Sequence, residues 1–211
     1  MTESLELADW RRRVASLYAD LRADPAPTAD RLAAFRNAKD ELFRAHPQSP
    51  VPFADRTTFS GLAYWPHEPA LRLVAPLEPD PSAPTLDLPA STGAEFAFSR
   101  IGWVLFEVAG TPTRLAVYWL AGYAGGIFIP FRDATSGHAT YGGGRYLWDS
   151  AKGADLGADR GELVLDFNYA YHPSCTYDPR WSCPLAPSEN WLSMPIQAGE
   201  RLRDDAAGEP R

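Results

Sequence analysis

Near the N-terminus, apolar residues recur every three or four positions; beyond residue 49 they shift to short alternating runs separated by proline and glycine. Leu7, Trp10, Val14, Leu17, Tyr18 and Leu21 follow the helical period and predict a helix over residues 4–23, capped by Ser4. Asp24-Pro25-Ala26-Pro27 ends it. Thr28 then caps a second helix to about Ala45, and Pro47 bars its continuation. Beyond Ser49, enrichment in Val, Phe, Tyr and Trp predicts strands at 57–64, 70–74, 94–101, 103–109, 113–120, 126–132, 144–149 and 162–168. A proline-rich loop is expected from Pro76 to Pro84, and a turn at Gly110-Thr111-Pro112. The expected fold is mainly β: an antiparallel β-sandwich or barrel preceded by two N-terminal α-helices. Residues 1–200 form one domain, helical over 1–46 and β-rich over 47–200, and the charged segment 201–211 reads as a flexible tail.

The second helix breaks its own pattern. On a wheel of about 100° per residue with Leu32 at zero, the apolar arc also holds Arg36 at about 40° and Lys39 at about 340°, with Asp40 at its edge near 80°. A buried cation is costly unless paired and hydrogen-bonded. One reading has both stems snorkel to water, or Arg36 pair with Asp40 along the helix. The other has the cations line a polar cavity and meet carboxylates from the β region. Strand alternation supplies candidates: in Glu162–Asn168, Asp166 and Asn168 share the face opposite Leu163, Leu165 and Phe167, beside Tyr171. Asp133 closes the apolar run 127–131, where a plain turn with Thr135-Ser136-Gly137 is an equal reading.

Composition narrows the function. The formal charge of −7 and the absence of a Lys/Arg-rich face argue against nucleic acid; the densest basic run, Arg11-Arg12-Arg13, lies in a helix balanced by acids. No signal peptide pattern or stretch of about 18 apolar residues is present, so no membrane partner is expected and a cytoplasmic location is the default. Tyr141-Gly142-Gly143-Gly144-Arg145-Tyr146 combines a permissive backbone with a guanidinium fork suited to carboxylate or phosphate, or else forms a hairpin turn with a structural arginine. It is not a phosphate-binding P-loop, because it lacks the Lys-Ser/Thr pair. Cys175 and Cys183 allow a disulfide, two reduced thiols, part of a zinc site, or a nucleophile. His46, His67, His138 and His172 are scattered, so no metal and no cofactor is expected.

Taken together, several strings resemble the domain-of-unknown-function 1684 family. They are Arg36-x-x-Lys39-Asp40, Ser49-Pro50, Phe59-x-Gly61-Leu62-x-Tyr64, Phe128-Ile129-Pro130-Phe131-x-Asp133, Thr140–Leu147, Asp166-Phe167-Asn168-x-Ala170-Tyr171, Cys175, and Cys183-Pro184-Leu185-x-Pro187-x-Glu189-Asn190. The resemblance spans about Arg36 to Glu200. It implies a fold and a set of motif positions, not a reaction, and it favours a shared pocket for Arg36, Lys39, Asp40, Arg145, Asp166 and Asn168.

Two functions remain open from the sequence. In one, the protein is a cofactor-independent acid/base enzyme of hydrolase, isomerase or lyase type acting on a small anionic or polar molecule. Asp166, Tyr171 and Asp133 would be its catalytic groups, and Arg36, Lys39, Asp40, Tyr141, Arg145 and Asn168 would bind the substrate. In the other, a non-catalytic ligand-binding or structural barrel uses the same ion network to lock the second helix to the sheet. A homodimer is compatible with either.

Overall fold

The computed structural model describes residues 2–24, 26 and 28–203. Helix α1 (Glu3–Ala23) begins one residue earlier than expected, after Thr2, and Ser4 lies inside it. Glu3 and Glu6 in its first turn complement the positive helix end in place of a side-chain cap. Helix α2 (Ala29–Ala45) starts as read: the Thr28 hydroxyl accepts the Arg31 N–H at 3.2 Å. The two helices meet through Tyr18 on Phe35, ring centroids 5.1 Å apart, and Phe35 stacks edge-on against Tyr169.

The β part contains β1 (Ala63–Tyr64), β2 (Arg72–Pro79), β3 (Thr85–Pro89), β4 (Glu95–Val108), β5 (Thr111–Leu120), β6 (Ile127–Phe131), β7 (Arg145–Asp149), β8 (Ala158–Asp159), β9 (Glu162–Asp166) and β10 (Glu200–Arg201). Eight strands form one antiparallel sheet in the order β7-β6-β5-β4-β2-β9-β8, with β3 beside the start of β4. The sheet curves into a half-barrel, which decides the sandwich-or-barrel alternative towards the barrel. Val104, Leu115, Val117, Ile129, Leu165 and Ile196 are buried in its main core, and Phe131 meets Phe167 edge-on at 5.2 Å.

Several expected boundaries are corrected. The strand expected at 57–64 shrinks to β1. Its N-terminal flank is satisfied instead by side chains: Arg56 donates to the carbonyls of His46, Pro47 and Val51, and Asp40 accepts the Leu62 N–H. The loop expected from Pro76 is strand as far as Pro79. Residues 72–76 pair with β9 and residues 77–79 with β4, so Pro76 falls where the strand changes partner and its missing N–H costs little. β3 was not anticipated at all. The two strands expected at 94–101 and 103–109 are one long strand with a register shift between Arg100 and Gly102. The chain reverses at Ala109-Gly110, and Thr111 and Pro112 already belong to β5. Arg201, expected in a flexible tail, is paired with Ala63, while the rest of that tail from residue 204 lies outside the described residues.

β5 and β6 pair only at Tyr118–Phe128 and Trp119–Ile127 before they splay. Asn190, fully buried, fills the gap. Its carbonyl accepts the Ala116 N–H, and its amide donates to the carbonyls of Ala116 and Pro130.

Candidate functional site

α2 lays its anomalous cation across the C-terminal end of the chain. Lys39 is 8% exposed, and its ammonium donates to Glu200 Oε1 at 2.6 Å. Glu200 Oε2 accepts the His172 N–H at 2.7 Å and the Tyr177 hydroxyl at 3.0 Å. The carboxylate is 1% exposed, yet each oxygen is engaged. Backbone geometry sets it there: Gly199 has φ +73° and passes so close to Ala170 that a Cβ would lie 2.5 Å from the Ala170 carbonyl oxygen. Glu200 N–H then bonds that same carbonyl.

These contacts fix protonation states. Burial alone would push the Glu200 carboxyl up, but Lys39, His172 and their hydrogen bonds outweigh it and hold the pKa below the ordinary value. Burial drives His172 the other way, down to about 3, so its imidazole is neutral. His172 Nε2 accepts the Tyr141 N–H at 3.2 Å, which leaves the ring proton on Nδ1, facing Glu200 at 3.7 Å. Glu200 is therefore held as a carboxylate beside a neutral ring and is not a poised acid.

Arg145 continues the same buried layer. Its guanidinium, 1% exposed, donates to the carbonyls of Ile196, Ala198 and Glu200 and lies 3.5 Å from Asp133. Asp133 in turn accepts from the Ile196 N–H and the Thr135 hydroxyl. Arg145 therefore ties β7 to the stretch before β10, and the pair reads as a fastening of backbone.

The remaining expected residues are distributed around this layer. Arg36 lies over the Tyr64 ring at 4.4 Å, and the Arg36–Asp40 pairing along the helix is replaced by Asp40 accepting the Leu62 N–H at 3.0 Å. Arg36 Nε and Nη2 are buried with no partner among the described residues. Asp166 and Asn168 do meet, at 2.8 Å, though by a capping turn over residues 167–169, because β9 ends at Asp166. Asn168 also clasps the Glu68 backbone in both directions. Burial raises the Asp166 pKa against the opposing pull of Asn168 and Arg72, and Asp166 faces a crevice of only about 20 Å³. Lys39 and Tyr171 share an aromatic-rich cavity of about 50 Å³ under the helices, with the ammonium 4.7 Å from the Tyr171 ring.

The larger space beside Glu200 was not read from the sequence. A cavity of about 190 Å³ opens between the 51–63 segment and the C-terminal strand, lined by Phe59, Leu62, Thr176, Tyr177, Arg201 and Arg203, with His172 in its wall and Asp55 on its rim. The Thr176 hydroxyl is buried and meets no partner among the described residues. Glu200, His172, Thr176 and Tyr177 carry no periodic signal. The only hint was that Tyr177 and Thr176 follow Cys175 in an irregular segment, and irregular segments often carry sites. Among the described residues, no group of three or more His, Cys, Asp or Glu side chains is placed to hold a metal. No helix among the described residues is long and apolar enough to cross a membrane.

The profile of the family described as "Protein of unknown function (DUF1684)" matches residues 57–201, and the chain belongs to that family. The matched span begins after α2, so Arg36, Lys39 and Asp40 lie outside it, whereas Glu200 lies inside. One matching solved structure is the solution NMR structure of the uncharacterized protein from gene locus rrnAC0354 of Haloarcula marismortui. It is 36% identical, with 82% of this chain and 93% of that chain covered and a TM-score of 0.59. No curated protein matches the sequence.

Proposed function

We propose that this DUF1684 protein binds a small anionic molecule with an apolar portion in the 190 Å³ cavity beside Glu200, without catalysing acid–base chemistry on it. The observation that carries the reading is the cavity itself, lined by Arg201, Arg203 and Thr176, whose buried hydroxyl meets no partner among the described residues. Phe59 and Leu62 offer the apolar wall, Arg203 brings a guanidinium to the lining, and a buried hydroxyl without a partner among the described residues favours a ligand that supplies one. Against catalysis stands the chemistry of the buried groups: Glu200 stays ionised, His172 stays neutral, and Asp166 fronts a crevice too small for a substrate. A general base needs a pKa near the working pH and a reachable proton.

A structural role for the buried ions is the second reading, and one observation favours it. Every oxygen of Glu200 and three backbone carbonyls around Arg145 are satisfied inside the protein. The two readings are compatible, since the ion layer would form the floor on which the cavity rests.

Calorimetric titration and thermal shift with acetate, pyruvate, succinate and inorganic phosphate test the proposal. At least one should bind, and Thr176→Val should weaken it about threefold to tenfold, the worth of one hydrogen bond. If no anion shifts the melting temperature, or Thr176→Val leaves affinity unchanged, the reading fails.

A further inference from the structure

Between β5 and β6 the chain runs through Ala121-Gly122-Tyr123-Ala124-Gly125-Gly126. Gly122, Ala124, Gly125 and Gly126 all have positive φ, and Ala124, at +71°, occupies a region that residues with a Cβ rarely adopt. Two close approaches fix the course of this loop. A Cβ on Gly125 would collide with the Trp119 indole, and one on Gly126 would lie 2.8 Å from the Ala151 backbone nitrogen. Tyr123, in the middle of the loop, is fully exposed.

The loop lines a cavity of about 450 Å³, larger than the one of about 190 Å³ beside Glu200. Phe96, Leu120 and Ile127, each only partly buried, give it an apolar surface. Phe98 and Phe128 also line it, their rings stacked with centroids 5.2 Å apart. Its charges do not cancel. The Lys152 ammonium meets the Asp149 carboxylate at 2.8 Å, and the Tyr171 hydroxyl donates to the same oxygen at 3.4 Å, so that acid is already answered. Arg11, on α1, also lines the cavity. Its neighbours Arg12 and Arg13 both pair with Asp9, whereas Arg11 meets no carboxylate among the described residues.

We propose that this cavity is a second binding site, for a small aromatic carboxylate whose ring lies against Phe96 and Tyr123 and whose carboxylate meets Arg11. A volume of about 450 Å³ falls within the range of small-molecule sites. The planar guanidinium fork of Arg11 matches a carboxylate with two parallel hydrogen bonds. An aliphatic acid would also cover the apolar surface, but it would gain no ring–ring contact with Phe96 or Tyr123. None of the residues lining this cavity lines the one beside Glu200, so the two sites stand or fall separately.

Calorimetric titration of the full chain with 2-naphthoate tests the proposal. Wild type should bind it. Arg11→Gln should weaken binding about tenfold or more, the worth of a charge-assisted hydrogen bond, and Tyr123→Ala about threefold to tenfold. Both side chains are exposed, so the variants should keep the wild-type melting temperature when no ligand is present. Thr176→Val, which changes the other cavity, should leave 2-naphthoate affinity unchanged. The neutral 2-naphthalenemethanol and the non-aromatic cyclohexanecarboxylate should each bind more weakly than 2-naphthoate. Failure of 2-naphthoate to bind, wild-type affinity in Arg11→Gln, or equal affinity for the neutral alcohol would each overturn the proposal. A loss of affinity in Thr176→Val would assign the ligand to the cavity beside Glu200 and overturn it as well.

Discussion

At the scale of single residues, His172 carries the clearest physical consequence. The native ring refuses a proton until about pH 3, whereas an exposed histidine in the unfolded chain takes one near 6.5. The unfolded state therefore binds more protons as the pH falls below 6.5, and stability must fall with it, by up to about 1.4 kcal/mol per pH unit. Glu200 acts in the same direction lower down, because its folded pKa lies below the ordinary 4.5 and its ionised form is lost last in the native state. Asp40 and Asp166, whose carboxyls are raised by burial, oppose this at acid pH, so the clean window opens just below about 6.5, where His172 is the group that differs. Urea unfolding midpoints should decline across that window in wild type and flatten in His172→Gln. An unchanged slope would place the titration elsewhere.

At the scale of elements, β4 is the informative one. Its composition reads as two strands with a break near residue 102, and the chain instead continues through the break. Gly102 makes this work by lying against β2: a Cβ there would sit 2.3 Å from the Glu78 carbonyl oxygen and 2.9 Å from the Leu77 side chain. The strand shifts register at this point, and the close approach lets β2 leave β9 and join β4. Gly102→Ala should cost about 1–3 kcal/mol, because neither backbone can yield without breaking the pairing. Chemical denaturation reads that loss directly, and a value near zero would mean that β2 can withdraw.

At the scale of the whole molecule, the Lys39–Glu200 pair joins residues 161 positions apart and fastens the helical part to the last strand. Removing one partner of a buried pair leaves the other charged and unsolvated. Lys39→Met should therefore destabilise the fold by about 3–5 kcal/mol, a loss that urea unfolding would show as a lower midpoint with an unchanged slope. A loss below about 1 kcal/mol would show that Glu200 accepts a proton or reaches water once Lys39 is gone. The overall charge of −7 also matters here, since it repels anions at long range. Attraction at the proposed cavity has to come from short-range contacts such as the Arg203 guanidinium, where screening is weak.

Local periodicity was enough to place both helices, the Thr28 cap, the mainly β class and the inward direction of Lys39. Each depends on residues within a few positions of one another, and hydrophobic spacing records that directly. The contact between Asp166 and Asn168 was also legible, although its cause is a capping turn and not strand alternation. Only the tertiary structure decided what Lys39 meets. The sequence offered Asp133 and Asp166 as partners, and the chain delivered Glu200, a residue with no pattern around it, positioned by the left-handed turn at Gly199. Arg145 could be read by composition as an anion ligand or as a structural arginine, and in the fold it donates to backbone carbonyls of residues 196–200. Such pairings cross more than fifty positions of chain, and nothing in local spacing specifies which distant carboxylate or carbonyl a buried cation will find. That choice is made when the curved sheet closes over its core and leaves each buried charge only the partners that arrive with it.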